Sequence, residues 1–97
     1  MVIERARLTI KPGEEARFET AFATAAPLFR RARGCTGVRI ERVVETPSIY
    51  FLVVDWDELE DHTVHFRGSD DFLEWRRLAS PHFAEPPQVE HVVPLAS

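Results

Sequence analysis

A single cysteine, Cys35, in 97 residues leaves this chain without a disulfide scaffold. No apolar run approaches the roughly 20 residues that a membrane-spanning helix needs. Positive charge is not in excess either. Twelve Lys and Arg stand against 16 Asp and Glu, for a net charge of −4. The basic residues are scattered rather than gathered into one stripe, which argues against nucleic acid as the main partner. Also missing are a phosphate-binding glycine loop, a dinucleotide fingerprint, a zinc-protease helix and a nucleophile elbow. No nucleotide, flavin, structural metal or other cofactor is therefore expected. No signal peptide is read at the start, and with the lone cysteine this fits a reducing cytoplasm.

What remains is an ordinary globular composition, 44% apolar and 29% charged, of a length for one domain spanning residues 1–97. So short a chain without crosslinks buries a limited fraction of its surface and gains much by pairing with a second copy. Val2 to Ile10 alternates loosely, with Glu4, Ala6, Leu8 and Ile10 on one face, and reads as a strand ended by Lys11-Pro12-Gly13. Phe18, Phe22, Ala25 and Phe29 then recur at helical spacing, predicting a helix over 13–33. Pro27 should kink it, and Gly34 should cap it. A second strand is expected over 37–45, with Val38, Ile40, Arg42 and Val44 on one face. A third, over 49–56, is apolar on both faces. Such a strand needs cover on both sides of its sheet. Two helices cover one side only, so a partner subunit's sheet is the economical cover for the other. Asp57 with Glu60 resembles a capping box opening a helix through His62 and Phe66. Gly68 interrupts it, and Ser69 restarts a helix through Phe72 and Trp75 that Pro81 stops. A last strand spans 88–93. The order strand-helix-strand-strand-helix-strand, with short links, predicts the ferredoxin-like α+β fold, a four-stranded antiparallel sheet with helices on one face.

The richest stretch is Asp55 to Arg77, which gathers two Trp, two His, two Phe and three Arg after the best-marked strand. Aromatics beside histidine and arginine can bind a flat organic molecule and move its protons. His62 and His65, three apart on a helix, share a face. With Glu58 or Asp61 they could hold a metal, but no third strong ligand lies in register and no metal is expected. Read as proton acceptors they suit neutral pH; read blandly they are surface or interface residues. Trp56 is either a core or dimer-interface residue or an aromatic wall for a planar ligand. Arg76 is either a solvated helix residue or a stabiliser of an anionic oxygen in an aromatic pocket. Arg77 reads as solvated. His82 and His91, in a loop and on the last strand, receive no role, and Cys35 is not read as a nucleophile.

Several short motifs now fall into one order. Leu8-Thr9-Ile10-Lys11-Pro12-Gly13 with Glu14, then Gly34-Cys35-Thr36-Gly37, then Val54-Asp55-Trp56-Asp57 through Leu59-Glu60-Asp61-His62, and finally Ala84-Glu85-Pro86-Pro87 with Val89-Glu90-His91, resemble the antibiotic biosynthesis monooxygenase domain over nearly the whole chain. The resemblance implies a dimeric α+β barrel, two copies joined through their sheet faces. It also implies three functional branches. Cofactor-independent monooxygenases of the family act on polycyclic phenols and anthrones with a tryptophan after the third strand, a helix tyrosine and a helix arginine. Trp56 and Arg76 match the first and last; His62 takes the tyrosine position, and Leu52 replaces an asparagine four residues before the tryptophan. Quinol oxidases of the family carry a histidine that His65 matches. Haem-degrading members carry a tryptophan and a proximal histidine where this chain has His65 and Arg76, so haem is not expected.

The expected activity is therefore cofactor-independent oxygenation of an electron-rich phenol, anthrone or quinol by O2. His62 or His65 would take a proton and Arg76 would stabilise the anion. Trp56, Leu52, Phe66 and Phe72 would contact the substrate. The alternatives are a non-redox protein of the same fold, binding a small aromatic metabolite or acting as cyclase or isomerase, and a purely structural dimeric module.

Overall fold

The doubly apolar run becomes strand β3 (Ile49–Trp56), one of the two central strands of the sheet in the computed structural model, which describes residues 1–97. Its neighbours are β1 (Val2–Thr9) and β2 (Cys35–Arg42), and β4 (Gln88–Val92) lies outside β1. The order is β2-β3-β1-β4, antiparallel throughout. With α1 (Glu15–Arg30) between β1 and β2 and α2 (Asp70–Ala79) between β3 and β4, this is the ferredoxin-like arrangement the element order predicts.

Alternation along each strand sends one set of side chains toward the helices. Ala6, Leu8 and Ile10 from β1 and its end, and Tyr50, Leu52, Val54 and Trp56 from β3, are buried there against Phe18, Ala25 and Phe29 of α1 and Trp75 and Ala79 of α2. The aromatics interlock: Trp75 meets Phe29 edge-on at 5.1 Å between ring centroids, and Phe66 lies 4.9 Å from Phe29 and 5.6 Å from Trp56. On the opposite face Val53 is only 4% exposed, although no other layer covers it. Arg5 and Arg39 flank it in register, and long arginine stems lie well over apolar surface. Arg5 also sits 4.5 Å over the Phe51 ring.

Local differences from the sequence reading have physical causes. Helix α1 runs through Pro27 to Arg30; Pro27 removes the donor for the Ala23 carbonyl, and both residues lie on the exposed side of the helix. Gly34 does not follow the last helical turn directly. It sits at φ +78° where a short turn enters β2. Strand β2 starts at Cys35 and ends at Arg42, and Val44 lies outside it at 85% exposure. The stop comes early because Val43 to Ser48 close the hairpin, with Val43 N–H bonded to the Ile49 carbonyl and Ile49 N–H to that of Thr46.

The largest difference follows β3. The expected α-helix over His62 and Phe66 is a π turn, Asp61–Phe66, and no Asp57 cap forms. Asp61 instead accepts a bond from the Glu58 backbone N–H at 3.1 Å. Arg67 N–H reaches back five residues to the His62 carbonyl. Ser69 caps α2 as expected, its hydroxyl accepting from Phe72 N–H at 3.1 Å.

Candidate active site

Between the helix-facing side of the sheet, the π turn, α2 and the segment 80–89 lies a cavity of about 850 Å³. Leu52 and Ala6 form its floor, Phe72, Trp75 and Phe83 give it aromatic walls, and Glu4, His62, Arg67 and Arg76 supply charge and protons. Its size and mixture suit a small organic ligand. The segment that closes it is tied down. His82 Nδ1 lies 2.9 Å from Glu14 Oε1, Ala84 N–H bonds the Thr9 carbonyl, and Thr9 Oγ1 donates to Glu85 Oε1.

The polar centre comes from three distant parts of the chain. Glu4 sits in mid-strand on the apolar face of β1 and is 4% exposed; His62, on the π turn, is 3% exposed. Trp56 Nε1–H donates to Glu4 Oε1 at 3.1 Å, and His62 Nε2 lies 3.3 Å from the same oxygen. His62 Nδ1 is 2.8 Å from His91 Nε2. The Trp56 indole stacks on the His62 ring, 5.5 Å between centroids and 15° from parallel. Sheet register builds this group. His91 is the direct partner of Glu4 across β1 and β4, and Trp56 stands two residues beyond Val54, the partner of Glu4 on β3.

Burial sets the protonation states. It pushes the Glu4 carboxyl up to about 7, against smaller opposing effects of the Trp56 hydrogen bond and the Arg67 charge. It pushes His62 down to about 4, helped by Arg67 and by His91, and holds His91 below its ordinary value, with Arg67 acting in the same sense. The consequences for stability have opposite signs. The contribution of Glu4 is present below pH 4.5 and is lost as pH rises through about 7; that of His62 is present above pH 6.5 and is lost as pH falls through about 4. At ~1.4 kcal/mol per pH unit, each amounts to about 3 kcal/mol. In the intact protein the two slopes largely cancel between pH 4.5 and 6.5. Glu4→Gln should therefore gain stability with rising pH across that window, and His62→Gln should lose it. Urea unfolding at a series of pH values checks both, and parallel curves for the two variants would refute the assignment.

Sequence-predicted residues divide in three groups. His62, Arg76, Leu52 and Phe72 line the cavity, with the Arg76 guanidinium carbon 6.0 Å from the Phe72 ring centroid. Trp56 and Phe66 are buried behind the wall, and Trp56 reaches the site through Glu4. His65 is exposed and lies outside the cavity. Its separation from His62 follows from the wider π turn, in which residues five apart, Asp61 and Phe66, share the buried side. Glu4, Arg67 and His91 were given no role by sequence reasoning. The available signal was Glu4 itself, a carboxylate in phase with Ala6, Leu8 and Ile10. Glu4, His62 and His91 do not converge on one point, because His62 lies between the other two and uses both ring nitrogens. Burial raises the pKa of the half-buried thiol of Cys35, which favours the protonated, less nucleophilic form.

The profile of the antibiotic biosynthesis monooxygenases matches residues 1–78. The chain belongs to this family. A Bordetella bronchiseptica protein assigned to the family has a crystal structure that superposes with a TM-score of 0.96 at 50% identity, covering 98% of this chain and 97% of that one. The uncharacterized protein YczJ of Bacillus subtilis is 42% identical over 91 residues, 94% of this chain and 96% of YczJ. SnoaB of Streptomyces nogalater, described as a cofactor-independent oxygenase, shares the fold at a TM-score of 0.84 and 19% identity, covering 99% of this chain and 94% of that one. Membership brings a general monooxygenase-like role. No helix of this family member is long and apolar enough to cross a membrane.

Proposed function

We propose that this protein is a cofactor-independent monooxygenase that oxidises an electron-rich aromatic, a phenol, anthrone or quinol, with O2. The observation that carries this reading is the cavity itself. It places two guanidinium groups without salt-bridge partners, Arg67 and Arg76, beside a buried acid–base pair and aromatic walls. An aromatic hydroxyl seated there loses its proton to the Glu4–His62 side. The anion is held by the arginines, a form of electrostatic stabilisation that is often a large part of catalysis. It passes one electron to O2, and the substrate radical and superoxide combine through a new C–O bond. The peroxide takes the proton back. The carbon that bears the peroxide carries one hydrogen, and its loss with the outer hydroxyl as water leaves a ketone. One oxygen atom ends in product and one in water, and the four electrons come from the substrate. SnoaB supports the reading by analogy of fold.

The working unit in this proposal is a homodimer joined through the open sheet faces, in a reducing cytoplasm. Ile3, Phe51 and Val92 lie on that face among Arg5, Arg7 and Glu90, a mixed surface suited to self-pairing. Sedimentation at twice 11.1 kDa is the expected result.

A second reading has one observation in its favour. The floor contributes Leu52, an apolar residue, and a Glu–His pair beside an apolar floor also suits a proton-transfer isomerase or cyclase. O2 consumption with anthrones, naphthols and hydroquinones separates the two, with a heat-denatured control for autoxidation. Uptake above background on one class is expected. Ligand-induced thermal stabilisation without uptake would favour the non-redox reading.

A further inference from the structure

The two polar neighbours of the Glu4 carboxylate both approach Oε1: Trp56 Nε1–H donates a hydrogen bond to it, and His62 Nε2 lies 3.3 Å away in close contact. Oε2 has no protein partner. Every fully buried side-chain oxygen or nitrogen in the chain has one, so Oε2 keeps accessible surface, and Glu4 is part of the cavity wall. One oxygen is thus clamped from behind while the other is presented to whatever occupies the cavity.

We propose that Glu4, through Oε2, takes the proton of the bound aromatic hydroxyl, and that Trp56 and the His62–His91 pair hold the carboxylate in position for it. The inference rests on the monooxygenase reading for its substrate class and deepens it by naming the proton-accepting atom. The proposal uses one of the two tautomer pairs that the contact between the rings allows. For His62 Nε2 to point an N–H at Oε1, its Nδ1 must accept, so His91 Nε2 carries the hydrogen between the rings. His91 is then a positioning residue that fixes the His62 tautomer. A proton arriving on Oε2 leaves both Oε1 contacts in place, so Glu4 can change charge without orphaning a buried group.

The step is a proton transfer without net redox change. The substrate O–H bond breaks, an Oε2–H bond forms, the electron pair stays on the substrate oxygen, and the same proton later returns to the peroxide. The groups facing Glu4 allow this near neutrality. They are His62 and Arg67 from and after the π turn, neutral Trp56 from β3, His91 from β4, Cys35 from β2, and Arg76 and Glu85 across the cavity. A carboxyl near 7 can both take and return a proton at physiological pH, whereas a histidine pushed to about 4 is the weaker acceptor there.

The test is anaerobic and uses 1,8-dihydroxyanthrone, whose anion absorbs in the visible. Mixed with intact protein at pH 7.5, the compound should ionise. Glu4→Gln, which keeps a carbonyl acceptor for Trp56, should lower the bound anion more than tenfold. Glu4→Asp, with its carboxylate drawn back by one methylene, should lower it less. His91→Leu should move the pH midpoint of ionisation, which a merely structural role would not do. Undiminished ionisation in Glu4→Gln would overturn the assignment while leaving the oxygenase reading standing. Ionisation that depends on Glu4 but is followed by no O2 uptake on admitting air would keep the assignment and remove the oxygenase. No ionisation by the intact protein, with 1-naphthol and hydroquinone as further probes, would overturn both.

Discussion

Arg76→Met should lower kcat/KM for O2-dependent turnover about 100-fold, in the range seen when one stabiliser of a developing anion is removed. Met keeps much of the apolar stem and deletes only the charge. Arg76 is exposed on α2 and makes no salt bridge, so global stability should stay within about 0.5 kcal/mol of the parent. The split between lost rate and retained stability is the informative result. Arg76→Lys should recover only part of the rate, because a point charge on a flexible stem does not reproduce a planar fork beside the Phe72 ring. Steady-state O2 electrode kinetics with thermal unfolding on the same samples provide the measurement. Turnover equal to the parent in Arg76→Met would take Arg76 out of the mechanism.

Gly34→Ala should destabilise the protein by about 3 kcal/mol, which for a domain of this size lowers Tm on the order of 15 °C. Two effects add. At φ +78° a side chain costs roughly 1–2 kcal/mol. A Cβ there would also fall on the Asp61 carboxylate. Asp61 is 6% exposed, accepts from Glu58 N–H and lies 3.7 Å from Arg33 Nε, so it has little room to move. It begins the π turn that carries His62, and displacing it should disturb the site as well as the fold. Gly13→Ala is the internal control. Gly13 has φ +88° with open space around it, so that change should show the backbone cost alone. Removing the obstacle in Gly34→Ala/Asp61→Gly should recover part of the difference, as coupled neighbours do. Equal losses in Gly34→Ala and Gly13→Ala would show that the Asp61 contact carries no weight.

These two positions differ in how far the sequence reveals them. Arg76 is recognisable from its place one turn after Phe72 and from the family pattern. Gly34 is recognisable as a turn glycine, but its clash with Asp61 is not, because that contact joins segments 27 residues apart.

By itself the sequence determined the strands β1 and β3, the helix α1 with its Phe18–Phe29 face, the Ser69 start of α2 and the fold that joins them. These rest on short-range periodicity and turn chemistry, which a linear reading can follow. It also brought His62, Arg76 and Leu52 forward through the family spacing, and Phe72 through its place one helical turn before Arg76; all four line the cavity. Only the tertiary structure decided that the turn after β3 is a π turn, which turns His65 away from His62. Only it brought Glu4, His62 and His91 together, from β1, the π turn and β4. The physical reason is register. Antiparallel pairing sets His91 opposite Glu4 and Trp56 diagonally beside it, and burial in that packed layer, not the residue types, drives the carboxyl up and the imidazole down.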